Sequence, residues 1–230
     1  MSDINKYVVI VAGGKGTRMG SIIPKQFLQL QGKPMLYYSI EAFVMAIPGI
    51  QIILVLPADE LSAVAAVLKS YLSDIVITYI GGGETRYHSV QNGLGCIKNE
   101  GIVFVHDGAR PLVSTELIER CYEQTIKMGS AIPAIPVVES IRQVTGDESK
   151  PVSRDHLRII QTPQTFSTHI ILPAFKQTYI PAFTDEATVV EASGTRVYLI
   201  DGERNNIKIT TPEDMIIAAA FIKAKSDAAL

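Results

Sequence analysis

Short, uniformly apolar runs alternate with longer amphipathic segments along most of this chain. The apolar runs are rich in valine and isoleucine, which is typical of strands covered on both faces of a parallel sheet. They predict strands at residues 7–12, 51–57, 75–80, 102–107, 130–137 and 196–201. The amphipathic segments predict crossover helices at 34–46, 58–72, 87–98, 114–128, 168–178, 185–193 and 211–225. This order predicts an α/β fold, with a mostly parallel twisted sheet and helices on both faces.

The alternation is interrupted at about residues 137–158. Two short β-like stretches flank the turn-rich sequence TGDESKP there, which predicts a β-hairpin arm that leaves the main sheet and returns. Such an arm has too little core to be stable alone, so we expect it to pack on a second copy of the chain. Because no Pro/Gly/Ser-rich linker separates other parts of the sequence, we expect one domain over residues 1–230.

Composition narrows the possible functions. The chain of 230 residues is 47% hydrophobic, which is ample for a sizeable core. Its formal net charge of -2 provides no global basic field for nucleic-acid binding. The start MSDINK does not resemble a signal peptide, and no apolar run approaches the roughly 20 residues of a membrane span. We therefore expect a cytoplasmic protein with no membrane or nucleic-acid partner, in which Cys96 and Cys121 are free thiols.

A glycine-rich sequence, VAGGKGTRMG, directly follows the first predicted strand. Its backbone N–H groups can converge on phosphate oxygens, although it matches neither a P-loop nor the dinucleotide fingerprint. Arg18 and the nearby Lys25 add positive charge of the kind that stabilises an attacked phosphoryl group and a leaving pyrophosphate. The loop therefore predicts a polyphosphate site. The alternative is a tight turn with solvated cations.

Three further segments indicate the same crevice. GGGETRYHSVQNGL is a second glycine-rich loop that leads into a predicted helix, whose N-terminus favours anions. VFVHDGARPLV places Asp107 and Arg110 at the end of a predicted strand. Asp107 can bind a divalent metal or a sugar hydroxyl, and Arg110 can bind a phosphate. The alternative is that Asp107 only caps the following turn. Lys208 lies in an apolar segment that favours a β-strand, where a buried ammonium needs an anionic partner. That partner is either a bound ligand or, as the alternative, a carboxylate in a structural salt bridge. For His106 we expect a hydrogen-bonding rather than a catalytic role.

Seven segments in this order resemble the 2-C-methyl-D-erythritol 4-phosphate cytidylyltransferases: VAGGKGTRMG, PKQF, GGGETRYHSV, VHDGARP, QTPQTF, TDEA and NIKITTPED. The resemblance implies a Rossmann-like nucleotidyltransferase fold and a homodimer joined by the arm. It also implies a step of non-mevalonate isoprenoid synthesis, in which CMP passes from CTP to 2-C-methyl-D-erythritol 4-phosphate (methylerythritol phosphate) and pyrophosphate is released. Mg²⁺ would be bound mainly through the phosphates of CTP, so few protein carboxylates are expected.

The resemblance further implies roles for single residues. Arg18 and Lys25 match the cations that stabilise the α-phosphate of CTP during attack, and Arg154 and Lys208 match the residues that position the substrate phosphate. The nucleotide-binding positions of the family match Ala12, Gly13, Gly14, Gly83, Glu84, Ser89 and Gly108. The positions around methylerythritol phosphate match Asp107, Arg110, Ser140 and Thr162.

Two of these positions depart from the usual pattern of the family, yet each keeps its chemical group. Ser140 stands where threonine is more frequent, and Glu84 stands where aspartate is common. A phosphate monoester is already anionic near neutral pH, so the attack needs no general base. Two alternatives remain open at this point, a D-ribitol-5-phosphate cytidylyltransferase and a CTP-sensing module without turnover. The presence of both Arg18 and Lys25 speaks against the sensing module, because binding alone needs no charge placed for the transition state.

Overall fold

The computed structural model describes residues 4–13 and 28–228. Each predicted strand and helix corresponds to an observed element. In chain order the described elements are β1 (Asn5–Val11), β2 (Gln29–Leu30), β3 (Lys33–Pro34), α1 (Met35–Ala46), β4 (Gln51–Leu56), α2 (Leu61–Lys69), β5 (Ile77–Gly81), α3 (Arg86–Leu94), β6 (Gly101–Asp107), α4 (Thr115–Met128), β7 (Ser130–Pro136), β8 (Ile141–Thr145), β9 (Glu148–Val152), β10 (Arg158–Ile160), β11 (Gln164–Ser167), α5 (Thr168–Ala174), α6 (Glu186–Ala192), β12 (Leu199–Asp201) and α7 (Pro212–Ala228).

The centre of the molecule is an eight-stranded sheet with the order β10-β7-β11-β6-β1-β4-β5, in which β12 also pairs with β7. Strands β6, β1, β4 and β5 are parallel neighbours, as are β12 and β7. Strands β10 and β11 run antiparallel to their neighbours. The predicted α/β fold with a mostly parallel sheet is therefore confirmed.

Strand β1 explains why both faces of the sheet are covered by helices. Its residues alternate between two apolar clusters, because successive side chains of a strand point to opposite faces. Val8 and Ile10 pack in one cluster with Phe43 of α1. Val9 packs on the other face in a cluster that contains Val90 of α3. A strand buried on both sides shows no hydrophobic alternation, which is the pattern observed in the sequence.

Strand register brings the ends of the central strands to one edge of the sheet. Val11, the last residue of β1, pairs with Asp107 at the end of β6. On its other side Val11 pairs with Val55 of β4, and Leu56 of β4 pairs with Gly81 of β5. The loops that follow these strands therefore leave from the same edge.

The predicted hairpin arm is present. Strands β8 and β9 pair antiparallel with each other, from Ile141 opposite Val152 to Thr145 opposite Glu148, and form a separate two-stranded sheet. Most side chains of this hairpin are exposed, and Val144 retains 69% of its surface. Across residues 4–13 and 28–228, no helix combines the length and the apolarity needed to cross a membrane.

The contact between α3 and the sheet leaves no room at Gly93. A Cβ atom there would lie 2.5 Å from Cγ1 of Val9 and 2.9 Å from Cγ2 of Val55. We predict that Gly93→Ala lowers the free energy of unfolding by about 1–3 kcal/mol through overpacking, despite the helix propensity of alanine. Urea unfolding of Gly93→Ala, Val9→Ala and the double variant measures this. The double variant should lose less than the two single losses added together, and simple additivity would contradict the contact.

Candidate active site

Two glycine-containing loops and the end of β6 meet at the common edge of the sheet. The N–H of Gly108, just after β6, donates to the carbonyl of Val11 at 2.9 Å. The N–H of Gly82, just after β5, donates to the carbonyl of Leu56 at 2.7 Å. In open α/β sheets, ligands bind in the crevice outside the carboxyl ends of the strands. The structure thus brings the segments of the predicted crevice to the edge where we expect a ligand to bind.

The loop after β1 and the loop after β5 come together at Ser89. The N–H of Gly83 donates to Oγ of Ser89 at 3.1 Å, and that hydroxyl donates to the carbonyl of Thr85 at 3.0 Å. A Cβ atom on Gly13 would lie 3.7 Å from the same Oγ. Ser89, in the first turn of α3, thus bonds the second glycine loop and lies next to Gly13 of the first.

Gly108 brings the end of β6 against the first loop. A Cβ atom on Gly108 would lie 2.7 Å from Cδ2 of Leu36 and 3.0 Å from Cβ of Ala12. Only a residue without a side chain fits this close approach. The residues predicted to bind the nucleotide that the structure brings together are Ala12, Gly13, Gly83, Ser89 and Gly108.

The carboxylate of Asp107 lies among three cations. Its Oδ2 is 2.8 Å from Nζ of Lys208 and 3.8 Å from Nε of Arg110, and its Oδ1 is 3.0 Å from Nη2 of Arg86. Burial alone would raise the pKa of this carboxyl, but the charges of Arg86, Lys208 and Arg110 outweigh burial and hold the pKa well below its usual range. Asp107 is therefore ionised and organises the positive charge at this edge.

A second carboxylate completes this group of charges. Nη1 and Nη2 of Arg86 donate to the two oxygens of Glu186, the second at 3.2 Å, while Nε donates to Oδ1 of Asp107 at 3.1 Å. The side chain of Glu186 is fully buried. Burial raises the pKa of the Glu186 carboxyl, and Arg86 opposes this shift. We refer to the five residues as the Asp107 cluster: Arg86, Asp107, Arg110, Glu186 and Lys208.

Thr162 and His106 form a buried hydrogen-bonded network beside the cluster. Oγ1 of Thr162 accepts from the N–H of Asp107 at 3.0 Å and lies 3.1 Å from Nδ1 of His106. Nε2 of His106 lies 3.1 Å from the carbonyl of Arg110, so Nε2 carries the proton and Nδ1 accepts from the threonine. With His106 in this neutral tautomer, the N–H of Asp107, the hydroxyl of Thr162, both ring nitrogens and the carbonyl of Arg110 all have hydrogen-bond partners. His106 therefore has the hydrogen-bonding role that its position predicts.

Arg110 is held from the other side by the segment that carries Lys208. Nη1 of Arg110 donates to the carbonyl of Asn206 at 2.7 Å, and Nδ2 of Asn206 donates to the carbonyl of Thr162 at 2.8 Å. The N–H of Ile209 donates to the carbonyl of Ala109 at 2.8 Å. The predicted substrate residues Asp107, Arg110 and Thr162 and the predicted catalytic residue Lys208 are therefore neighbours.

Lys208 differs from its prediction in one respect. Its side chain is 43% exposed and residues 206–210 are irregular, so it is not a buried ammonium in a β-like segment. The apolar residues around it, Ile207 and Ile209, pack with α7 and leave the lysine between them at the surface. The predicted need for an anionic partner is nevertheless met by Asp107.

The remaining predicted residues are exposed or lie outside the described part. Ser140 and Arg154 are exposed residues at the arm, and the Arg154 guanidinium donates to the carbonyl of Val138. Glu84 is exposed in the second loop. Gly14, Arg18 and Lys25 lie outside the described residues, and their assignments remain predictions.

Sequence reasoning missed Arg86 and Glu186 as parts of the site. A signal was present for Arg86, because a cation in the first turn of a helix opposes the helix dipole and calls for a carboxylate partner. Glu186 precedes the apolar residues of α6, and its complete burial likewise requires a cation. Both residues lie in segments that were singled out, GGGETRYHSV and TDEA, but the pairing joins positions 100 apart in the chain.

These features define a class. A mostly parallel sheet carries two adjoining glycine loops and a cation-rich cluster at its carboxyl edge, an arrangement suited to nucleoside polyphosphates and sugar phosphates. The family model for 2-C-methyl-D-erythritol 4-phosphate cytidylyltransferase matches residues 6–224. The chain belongs to this family.

Individual relatives agree with the family model. The chain is 48% identical over 227 residues to the 2-C-methyl-D-erythritol 4-phosphate cytidylyltransferase of Phocaeicola vulgatus, covering 95% of this chain and 100% of that protein. It is 39% identical over 220 residues to that of Clostridium novyi, covering 94% and 95%. The solved 4-diphosphocytidyl-2C-methyl-D-erythritol synthase of Anaerococcus prevotii superposes with a TM-score of 0.79 at 28% identity, covering 96% of both chains. The Thermus thermophilus cytidylyltransferase superposes with a TM-score of 0.75 at 29% identity, covering 96% of this chain and 100% of the other.

Complete burial of His106 makes the stability of the protein depend on pH. Burial lowers the pKa of His106 to about 4, against about 6.5 in an unfolded chain. As the pH falls from about 6.5 to 4, the unfolded state takes up the proton first and the folded state is destabilised.

We predict that His106→Gln, which cannot titrate, loses about 2 kcal/mol less stability than the wild type between pH 7 and pH 5. Urea unfolding of both proteins at both pH values measures the difference, because the two chains differ only at position 106. Equal losses in the two proteins would mean that His106 is not held neutral.

Proposed function

We propose that this chain transfers the CMP group of CTP to 2-C-methyl-D-erythritol 4-phosphate, giving 4-CDP-2-C-methyl-D-erythritol and pyrophosphate in non-mevalonate isoprenoid synthesis. The observation that carries the proposal is the position of the Asp107 cluster beside the glycine loops. Even with both carboxylates ionised, its cations outnumber its carboxylates by three to two. A sugar phosphate held there is adjacent to a nucleotide held by the loops.

The reaction is an in-line displacement at phosphorus. An oxygen of the methylerythritol phosphate attacks the α-phosphorus of CTP, and the bond between that phosphorus and the oxygen of the leaving pyrophosphate breaks. Lys208, half exposed beside Asp107, and Arg110 hold the attacking phosphate. From the sequence resemblance, Arg18 and Lys25 stabilise the charge that develops on the α-phosphate and on pyrophosphate.

The chemistry needs no proton acceptor from the protein. The attacking phosphate monoester is anionic near neutral pH, so no proton has to leave during attack. His106 has both ring nitrogens engaged, by Thr162 and by the carbonyl of Arg110, and lies in the core. Its contribution is to fix the loop that carries Asp107 and Arg110.

We propose Mg²⁺ as the metal, held mainly through the phosphates of CTP. The donor set fits this arrangement, because Asp107 directs its two oxygens at Arg86 and Lys208, and Glu186 is buried against Arg86. Such carboxylates are already neutralised and favour a metal carried by its own phosphate and water ligands. When bound, Mg²⁺ offsets part of the negative charge of the triphosphate.

We also propose a homodimer in the cytoplasm, in which the arm of one subunit reaches the site of the other. The exposed apolar residues of the arm region, Val138 and Val144, support this assembly because they gain a partner on dimerisation. Arg154 and Ser140, which are exposed in the arm region, would then reach the substrate phosphate from the partner subunit.

Pyrophosphate release tests the reaction directly. The purified chain, CTP and Mg²⁺ are incubated in parallel with methylerythritol phosphate and with D-ribitol 5-phosphate. We expect release with methylerythritol phosphate alone. Release with ribitol phosphate alone would indicate a D-ribitol-5-phosphate cytidylyltransferase instead. No release with either acceptor would favour a CTP-sensing module.

Mixing two inactive variants tests the shared site. If Arg154 acts in the partner's site, a heterodimer of Arg154→Ala and Lys25→Ala subunits contains one intact site. An equal mixture after subunit exchange should recover about one quarter of wild-type activity. The control replaces Arg154→Ala by the double variant Lys25→Ala/Arg154→Ala, which leaves every site without Lys25. No recovery in the first mixture would contradict a site that two subunits share.

A further inference from the structure

We propose that Arg86 and Glu186 form a positioning pair that orients the Asp107 carboxylate, and through it Lys208 and Arg110, toward the sugar phosphate. The inference rests on the proposed function, because it concerns how the acceptor phosphate is held. It assigns a part in the reaction to two residues that the resemblance left without a role.

The geometry of Arg86 argues against direct substrate binding. A guanidinium has five N–H donors, and its Nε, Nη1 and Nη2 all donate to the oxygens of two carboxylates. Asp107 and Glu186 thus occupy adjacent edges of one rigid, planar group. An arginine bound in this way acts as a clamp between the two carboxylates, whereas a phosphate ligand would need a free edge.

The clamp determines which oxygen of Asp107 faces the substrate side. Arg86 engages Oδ1, and this leaves Oδ2 directed at Lys208 at 2.8 Å and at Arg110 at 3.8 Å. Nε of Arg110 is buried without a hydrogen-bond acceptor among the described residues, and Asp107 is the nearby anion. Rotation of the carboxylate would therefore move the two residues proposed to hold the acceptor.

Glu186 is itself firmly placed. It is the first residue of α6, where Asp185 and Thr188 form a capping box. Gln164 of β11 accepts from the N–H of Ala187 at 2.8 Å and donates to Oδ2 of Asp185 at 3.0 Å. The backbone around Glu186 is consequently fixed to the central sheet by Gln164. Arg86 in turn connects Glu186 to Asp107 at the end of β6.

A purely structural role makes a different prediction. If the pair only joins α3 to α6, its loss lowers stability and affects every kinetic parameter through a displaced α3. Because α3 also carries Ser89 of the nucleotide loops, a displaced helix would raise the KM for CTP as much as that for methylerythritol phosphate. If the pair has a positioning role, its loss changes the kinetics with methylerythritol phosphate and leaves the KM for CTP nearly unchanged.

The experiment compares Arg86→Met, Glu186→Gln and the double variant Arg86→Met/Glu186→Gln with the wild type. Unfolding temperature, kcat, and KM for both substrates are measured. We expect the double variant to be more stable than Arg86→Met, because it no longer buries a lone carboxylate. Its kcat/KM for methylerythritol phosphate should nevertheless stay at least about tenfold below wild type, with the KM for CTP changed less than about twofold.

Two further variants complete the design. Arg86→Lys keeps the charge without the planar fork, and should recover stability better than kcat/KM. Arg120→Met removes the partly exposed Arg120–Glu203 ion pair, at 3.3 Å, and should leave all constants near wild type. If Arg86→Met does not fold, Arg86→Lys and Glu186→Gln still give the ratio of the two KM changes.

Recovery of wild-type kcat/KM in the double variant together with its stability would overturn the positioning role. Equal changes in both KM values would do the same. The wild type serves to separate the hypotheses, since absence of turnover with methylerythritol phosphate contradicts the proposed function itself. Turnover in the wild type with unaffected acceptor kinetics in the variants contradicts only the positioning pair.

Discussion

One buried carboxylate holds the site together. Three cations this close would repel one another and disperse, and Asp107 keeps them at the end of β6. Its N–H is bonded to Thr162, and His106 ties that hydroxyl to the carbonyl of Arg110, so the backbone is fixed as well as the charge. A phosphate that arrives here meets positive charge whose organisation was completed during folding. Little reorganisation is then needed on binding.

The apolar strands were predictable because a strand that is buried on both faces has an uninterrupted apolar sequence. β1, β4 and β6 read as continuous runs, and the polar residues after β6 mark the edge where packing ends. Strand β11 has no such sequence. Its buried residues Gln164 and Thr165 are polar, and Gln164 is satisfied by α6, which an apolar pattern does not reveal.

The residues of the candidate site also divide into those that local sequence predicts and those that it does not. Asp107, at the end of a strand, and the residues of the glycine loops were predicted from local context, and the anionic partner expected for Lys208 is Asp107. The clamp between Arg86 and Glu186 was missed because its partners are distant in the chain and neither belongs to a recognisable spacing. The roles of Ser140 and Arg154 rest on the resemblance alone, because both are exposed residues of the arm region.

The first turn of α3 serves both halves of the crevice. Ser89 bonds the second glycine loop and lies next to Gly13, and three residues earlier Arg86 belongs to the Asp107 cluster. A single helical turn therefore lies between the proposed nucleotide and acceptor sites, and any free-energy coupling between those sites is reciprocal. For protein engineering, a change that displaces the backbone of α3 should alter both recognitions together, whereas a change confined to the Arg86 side chain should act on the acceptor side.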